Sequence, residues 1–223
     1  MGFWEEREQV ERFAAREPDL RLAALAEGYR GSRRVRVLDL GCAAGRNTLL
    51  LARKGFDVTA LDSSWAMVQA TRDRLAEVLG EKEAAARVRV GRMDRLDWAA
   101  DGSFDLLVAL GIYHCAQTRE EWDRALSESS RVLKEGGRLL ASVFTPETDL
   151  TGEGIRPVEG QPHVYDGYPG GRSFLVDAGA LDSEMVRHRL FPLAPTETVT
   201  REEPRGRRVS ANGLYEKRWR REP

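Results

Sequence analysis

The pattern of apolar and polar positions divides the chain into alternating short strands and helices. Val35–Leu40 is a compact apolar run interrupted by Arg36 and Asp39, and it reads as a first strand. A glycine-containing turn follows, then a helix over Asn47–Lys54 and a second strand over Phe56–Leu61. Ser64 has the character of a cap for a helix over Trp65–Leu79. Val88–Val90 reads as a short third strand, Asp101–Ser103 as a turn, and Phe104–Leu110 as a fourth strand. Thr118 caps a helix over Glu120–Leu133 that is expected to stop at Gly136-Gly137 before a fifth strand, Leu139–Phe144. Upstream, Trp4–Arg16 has helical character, and Asp19 after Pro18 caps a second helix, Leu20–Glu27. Strands alternating with helices of this length predict a parallel, doubly wound α/β sheet.

The later third reads differently. Thr145–Arg172 carries four prolines and six glycines and reads as a long loop of the kind that often forms a functional lid. Asp177–Arg187 reads as a helix, and Glu197–Glu203 with Arg207–Lys217 as an antiparallel hairpin about Pro204-Arg205-Gly206. Four segments follow: an N-terminal helical cap (1–30), a ligand-binding core (31–145), a substrate-side loop (146–176) and a C-terminal helix and hairpin (177–223), all within one domain.

The chemistry is concentrated in Val37–Thr48. A strand, a glycine turn and a helix start bring backbone N–H groups close to a ligand. Asp39 at the strand end argues against a ligand offering only phosphate there and suits one with a positive end. Asp62, about 20 residues on at the tip of the second strand, stands where a carboxylate accepts from ribose hydroxyls.

These features together resemble the class I S-adenosylmethionine-dependent methyltransferases. Val37–Gly45 matches the glycine turn, Ala60–Ser64 the ribose site and Met93-Asp94 the adenine edge. Phe104–Leu110 matches the fourth strand and Arg131–Leu140 the helix end and fifth strand, so the resemblance covers residues 30–145. Gly45–Thr48 and Lys54–Thr59 look most like the tellurite-resistance and thiopurine methyltransferase-like branch. The resemblance implies a mostly parallel seven-stranded Rossmann-like sheet closed by a C-terminal antiparallel hairpin. It implies S-adenosyl-L-methionine as cofactor, with S-adenosyl-L-homocysteine as product. The cofactor positions it carries over are Asp39, Gly41, Cys42, Ala43, Gly45, Asn47, Asp62, Ser63, Met67, Met93, Asp94, Ala109, Leu110 and Gly111. Trp65 or Met67 is expected to pack on the nucleoside, and Phe3-Trp4 to begin a helix folded over it. Tyr113 and His114 follow the fourth strand and are the candidate catalytic residues, His114 as a base or hydrogen-bond partner. His163, Tyr165 and Tyr168 are candidate substrate contacts.

One position departs from the pattern. Ala43 stands where the family turn usually has glycine, and a negative φ is expected there because Gly41 and Gly45 remain. The same departure counts against a nicotinamide dinucleotide site, which wants Gly-x-Gly-x-x-Gly. Two readings stay beside methyl transfer: a non-enzymatic S-adenosylmethionine-binding protein, and a nicotinamide-dependent oxidoreductase.

Composition narrows the remainder. The formal net charge is −1, so no nucleic-acid partner is expected, and the basic tail Lys217–Arg221 reads as a solvated end. No long apolar run and no apolar start suggest a membrane span or secretory signal. Two cysteines, 42 and 115, fit a cytoplasmic protein without a disulfide framework. Three histidines, 114, 163 and 188, are too scattered to hold a metal. Lysine at only four positions and asparagine at only two fit a thermophile or a GC-rich genome, and the two are left open. The expected partner is a small-molecule methyl acceptor, with the protein a monomer or homodimer.

Overall fold

A computed structural model describes residues 2–29, 31–168, 170–204 and 206–219. After a 3-10 turn at Phe3–Glu5 come α1 (Arg7–Ala14) and α2 (Leu20–Glu27). The core runs β1 (Arg36–Leu40), α3 (Arg46–Arg53), β2 (Asp57–Asp62), α4 (Trp65–Leu79), α5 (Glu81–Arg87), β3 (Val88–Val90), β4 (Phe104–Leu110), α6 (Arg119–Val132) and β5 (Leu133–Phe144). Then follow β6 (Arg156–Pro157), β7 (Val164–Tyr168), β8 (Gly171–Phe174), α7 (Ala178–Arg187), β9 (Leu190–Pro192), β10 (Glu197–Glu203) and β11 (Gly206–Lys217).

The main sheet has the strand order β10-β11-β5-β4-β1-β2-β3, and β9 adds to the far end of β11. The five strands β1 to β5 are mutually parallel, while β11 runs antiparallel to both β5 and β10. The order reverses between β1 and β4, since β2 and β3 build outward on one side and β5 on the other. An α/β sheet opens a ligand crevice at the carboxyl ends of the strands at such a point.

Side-chain alternation explains the two helical layers. Along β4, Leu107 and Ala109 enter one core with Tyr113, Trp122 and Leu181, whereas Leu106, Val108 and Leu110 face a second with Leu22, Leu51 and Leu75. Both faces are covered, so β4 reads as a continuous apolar run, as a central parallel strand does. Helix starts are fixed by side-chain caps. The Ser64 hydroxyl accepts from Met67 N, the Thr118 hydroxyl from Glu121 N, and Asp177 from Ala180 N.

Several expectations are corrected. Trp4–Arg16 is not one helix: Glu6 is extended, and the chain breaks into the short turn and α1. The helix ahead of β5 ends at Val132, and Gly136, at φ 73°, falls inside the strand assignment instead of acting as a helix stop. The 145–172 segment is not a bare loop. It builds a second antiparallel sheet of β6, β7 and β8. The helix α5 and strand β9 were not anticipated. Of the basic tail, Arg220 and Arg221 lie outside the described residues. No helix among the described residues is long and apolar enough to cross a membrane.

Candidate active site

A cleft of about 240 Å³ opens at the carboxyl ends of β1 and β2. Its floor is Leu40, Gly41, Leu61, Asp62 and Ser63, and Gly91–Asp94 form one side. Ile112, Cys115, Gln117 and Glu121 form another, while Trp4, Tyr168, Gly170, Arg172 and Ser173 come over from the N-terminal turn and the second sheet.

Glycine is required at two points of this wall. A Cβ on Gly41, whose φ is 76°, would lie 2.8 Å from Ile112 Cβ, and one on Gly91 would lie 2.6 Å from Leu61 Cδ1. Backbone comes to the ligand space there because no side chain fits.

Asp62 is the joint of the site. Its Oδ2 accepts from Ala43 N at 2.8 Å and its Oδ1 from Ser64 N at 2.9 Å, so the β2 tip is tied to the glycine turn and to the start of α4. Burial pushes its pKa above the usual carboxylate range, against the backbone N–H groups that favour the charge. Each oxygen keeps a second lone pair for a donor from the cleft.

Ala43 has φ 47°, which corrects the expectation of a negative angle. A left-handed alanine costs roughly 1–2 kcal/mol. The turn is held by two bonds at this residue: its N–H to Asp62 and its carbonyl, which accepts from the Thr71 hydroxyl at 2.6 Å.

The N-terminal turn closes over the site through α4. The Ser64 hydroxyl donates to the Trp4 carbonyl at 3.0 Å, and the Glu5 carboxylate accepts from Trp65 N and Ala66 N at 2.9 and 3.1 Å. A carboxylate on the first N–H groups of a helix is favourable for both charge and hydrogen bonding. Trp4 is thereby set on the cleft wall, braced edge-on by Phe3 and Phe13.

Of the residues the sequence singled out, Gly41, Asp62, Ser63, Met93 and Asp94 share the cleft wall. Trp4 and Tyr168 reach it as well, and most of the others lie elsewhere. Asp39 is 2% exposed and accepts from the Thr48 hydroxyl at 2.6 Å; burial pushes its pKa up to about 6. Asn47 is turned to the cap, where its side-chain oxygen accepts from Asp19 N. Gly45 packs against Thr71, and Cys42, Met67 and Ala109 are buried in the interior. Leu110 packs into the second core, and Gly111 turns the chain after β4 with φ 90°. Trp65 is 61% exposed on the outside of α4 and off the cleft. Asp94 is gripped by Arg92 and Arg124; these guanidiniums hold its pKa low against burial.

Tyr113 does not point to the reaction space. It is fully buried, its hydroxyl donates to the Ser129 hydroxyl at 2.7 Å, and its ring stands edge-on to Trp122. His114 sits just behind the cleft, stacked on Phe144 at 4.1 Å and edge-on to Tyr168 at 5.7 Å. Phe144 N donates to its Nδ1 at 3.4 Å. Burial pushes its pKa down to about 3, so it is neutral at neutral pH. His163 and Tyr165 are off the cleft; of the three loop candidates only Tyr168 reaches it. Gly91, Arg92, Ile112, Gln117, Glu121, Arg172 and Ser173 were missed. A usable signal existed for two of them: Tyr168 and Gly170-Gly171 flank a hairpin turn that delivers Arg172 and Ser173.

Residues 37–137 match the family model described as a methyltransferase domain. Over that stretch the chain is similar to a methyltransferase domain. The domain is 31% identical over 120 residues to a malonyl-[acyl-carrier protein] O-methyltransferase of Paenibacillus sp. (strain JDR-2), covering 52% of this chain and 41% of that protein. The chain spans less than half the length of the curated relatives it matches. Two solved structures share the methyltransferase fold beyond the matched core. The PH0226 protein of Pyrococcus horikoshii OT3 aligns with TM-score 0.67 at 20% identity, over 96% of this chain and 93% of that one. A Burkholderia thailandensis 1,6-didemethyltoxoflavin-N1-methyltransferase, solved with bound 1,6-didemethyltoxoflavin and S-adenosylhomocysteine, aligns with TM-score 0.64 at 21% identity, over 97% of this chain and 81% of that one.

Proposed function

We propose that the protein transfers a methyl group from S-adenosylmethionine to a small-molecule acceptor, working as a monomer or homodimer in the cytoplasm. The observation that carries this reading is the meeting of Gly41, Asp62 and Met93-Asp94 in one cleft at the reversal of strand order. The donor set fits the cofactor: a carboxylate with spare lone pairs for ribose hydroxyls, a thioether wall for a flat base, and glycine backbone where a chain of atoms passes close. When bound, the cofactor supplies a sulfonium-activated methyl group for in-line displacement. Within the class, Gly45–Thr48 and Lys54–Thr59 support a place near the tellurite-resistance and thiopurine branch.

The chain's own part is to position and to exclude water. Asp62 would hold the ribose, Met93 and Asp94 the base, and Gly41 with Ile112 the middle of the cofactor. Trp4, Cys115, Tyr168 and Ser173 would bound the acceptor. Three titratable groups at that end are neutral at pH 7. Burial pushes His114 down to about 3 and the Cys115 thiol up to about 12, and raises Tyr168 above the usual phenol range. None of them is matched to proton abstraction near neutrality. The reading therefore favours an acceptor whose attacking lone pair is already free. Collinear placement of nucleophile, carbon and sulfur then carries the rate, a contribution that reaches about 7–11 kcal/mol in well-oriented systems.

Calorimetric titration tests the cofactor: S-adenosylhomocysteine binds and NAD does not. Incubation of a metabolite extract with labelled methyl donor tests the transfer, and a labelled small molecule is the expected product. Binding without any labelled product would support the non-enzymatic reading, and NAD binding alone the oxidoreductase.

A further inference from the structure

We propose that the open pocket between the Ala14–Pro18 loop, α3 and α4 is a binding site for a multiply charged phosphate. It measures about 290 Å³ and shares no wall residue with the cofactor cleft. Arg16, Arg46, Arg53 and Arg74 line it, against the single carboxylate of Glu17. A chain of net charge −1 thus concentrates four cations on one small cavity.

Several arginines elsewhere sit on carboxylates, such as Arg119 on Glu184 at 2.8 Å, Arg131 on Glu128 at 2.7 Å and Arg92 on Asp94 at 2.8 Å, whereas others, such as Arg72 on the Val88 carbonyl, do not. Among the described residues, none of the four cavity arginines has a carboxylate oxygen within the 4.0 Å of an ion pair. Two are instead anchored by neutral backbone. Arg46 Nη1 donates to the Glu17 carbonyl at 3.1 Å, and Arg74 Nη1 donates to the Ala44 carbonyl. The Arg16 guanidinium lies over the Phe13 ring, 4.3 Å from its centroid. These contacts hold three of the four side chains, while Asp19 and Asp39 act on Arg46, and Glu203 on Arg16, only through space and beyond ion-pair distance. Burial, together with Arg46, Arg208 and Arg12, pushes the pKa of Arg16 down to about 10, as expected of a cation crowded by its own kind.

An anion relieves that crowding. Guanidinium forks match phosphate oxygens in paired hydrogen bonds, and several forks around one cavity favour a group with two or more charges over chloride or a single carboxylate. The occupant would bridge the loop after α1 to α3 and α4.

The test is calorimetric titration of the full chain with inorganic pyrophosphate, orthophosphate and sulfate at matched ionic strength. Pyrophosphate should bind in the submillimolar range, more tightly than orthophosphate, and more weakly as sodium chloride is raised. Arg16→Gln and Arg53→Gln should each weaken it at least five-fold while keeping the circular dichroism of the parent. Arg33→Gln, an exposed arginine off the cavity, should change it less than two-fold. The proposal is overturned if 5 mM pyrophosphate gives no heat, or if Arg16→Gln and Arg53→Gln bind like the parent. It is also overturned if Arg33→Gln weakens binding as much as the cavity variants do.

Discussion

Replacing His114 with phenylalanine should flatten the acid side of the stability profile. The imidazole is 3% exposed, stacked on Phe144, and surrounded by rings that give a charge no partner. Its folded pKa is depressed from 6.5 to about 3. A depressed histidine stabilises the fold fully above the unfolded value of 6.5 and loses that stabilisation as the pH falls toward 3, because the unfolded chain takes the proton first. Linkage gives a loss of about 1.4 kcal/mol by pH 5.5 and roughly 2.7 kcal/mol by pH 4.5, relative to pH 8. Phenylalanine keeps the stack and removes the proton site, at the cost of the long Phe144 N–H contact. Carboxylates and His188, whose pKa burial also lowers, titrate in the same range but act alike in both proteins. Urea unfolding followed by tryptophan fluorescence, at half-unit steps from pH 8 to 4.5, gives the two curves. The variant should gain on the parent by about 2–3 kcal/mol across that span. Curves that stay parallel would mean that His114 accepts a proton in the folded state at its ordinary pKa, and the description of a sealed, neutral ring would be wrong.

Other outcomes follow from single contacts. Asp62→Ala should weaken S-adenosylhomocysteine binding by about 1–3 kcal/mol in calorimetry, through loss of charge-assisted hydrogen bonds; an unchanged affinity would remove the ribose assignment. Ala43→Gly should raise stability by about 0.5–1 kcal/mol in urea unfolding, since the left-handed cost exceeds the added chain entropy of glycine. Tyr113→Phe should cost about 1 kcal/mol of stability through the lost Ser129 bond and leave the methyl-transfer rate unchanged; a large fall in rate alone would restore a catalytic role.

The sheet was legible where local rules and tertiary packing agree. Trp65–Leu79 begins after a serine whose hydroxyl takes Met67 N, and Val88–Val90 and Phe104–Leu110 fall where apolar runs meet turn residues. The 145–172 segment was illegible for the opposite reason. Its prolines and glycines suppress strand propensity, and β6, β7 and β8 exist because Val164 and Phe174 bury against Trp122 and its neighbours. Of the positions that spacing singled out, Gly41, Asp62 and Met93-Asp94 line the cleft, yet spacing did not tell which neighbour faces it. Asp39 and Leu40 are one residue apart; Leu40 is on the cleft wall and Asp39 is beneath it on Thr48. Strand alternation makes that difference, and no motif records it.

Ala43 and Asp62 show why a departure from a glycine pattern need not break the site. The alanine is strained, and its N–H is held by Asp62 Oδ2. The carboxylate therefore has two duties. It locks a backbone conformation that alanine resists, and it offers its remaining lone pairs to the cleft. Removing it would both free the turn to relax and delete the ribose contact proposed for it, so the two effects would appear together in one measured affinity. A glycine at 43 would make the turn less dependent on that bond. The acidic residue at the β2 tip is thus a structural tie before any ligand arrives, which is why burial is tolerated against a raised pKa there. The same logic extends to Glu5, whose carboxylate holds the first N–H groups of α4 and with them the position of Trp4. In both cases a carboxylate bound to backbone N–H groups at a helix or turn start fixes the wall of the cleft.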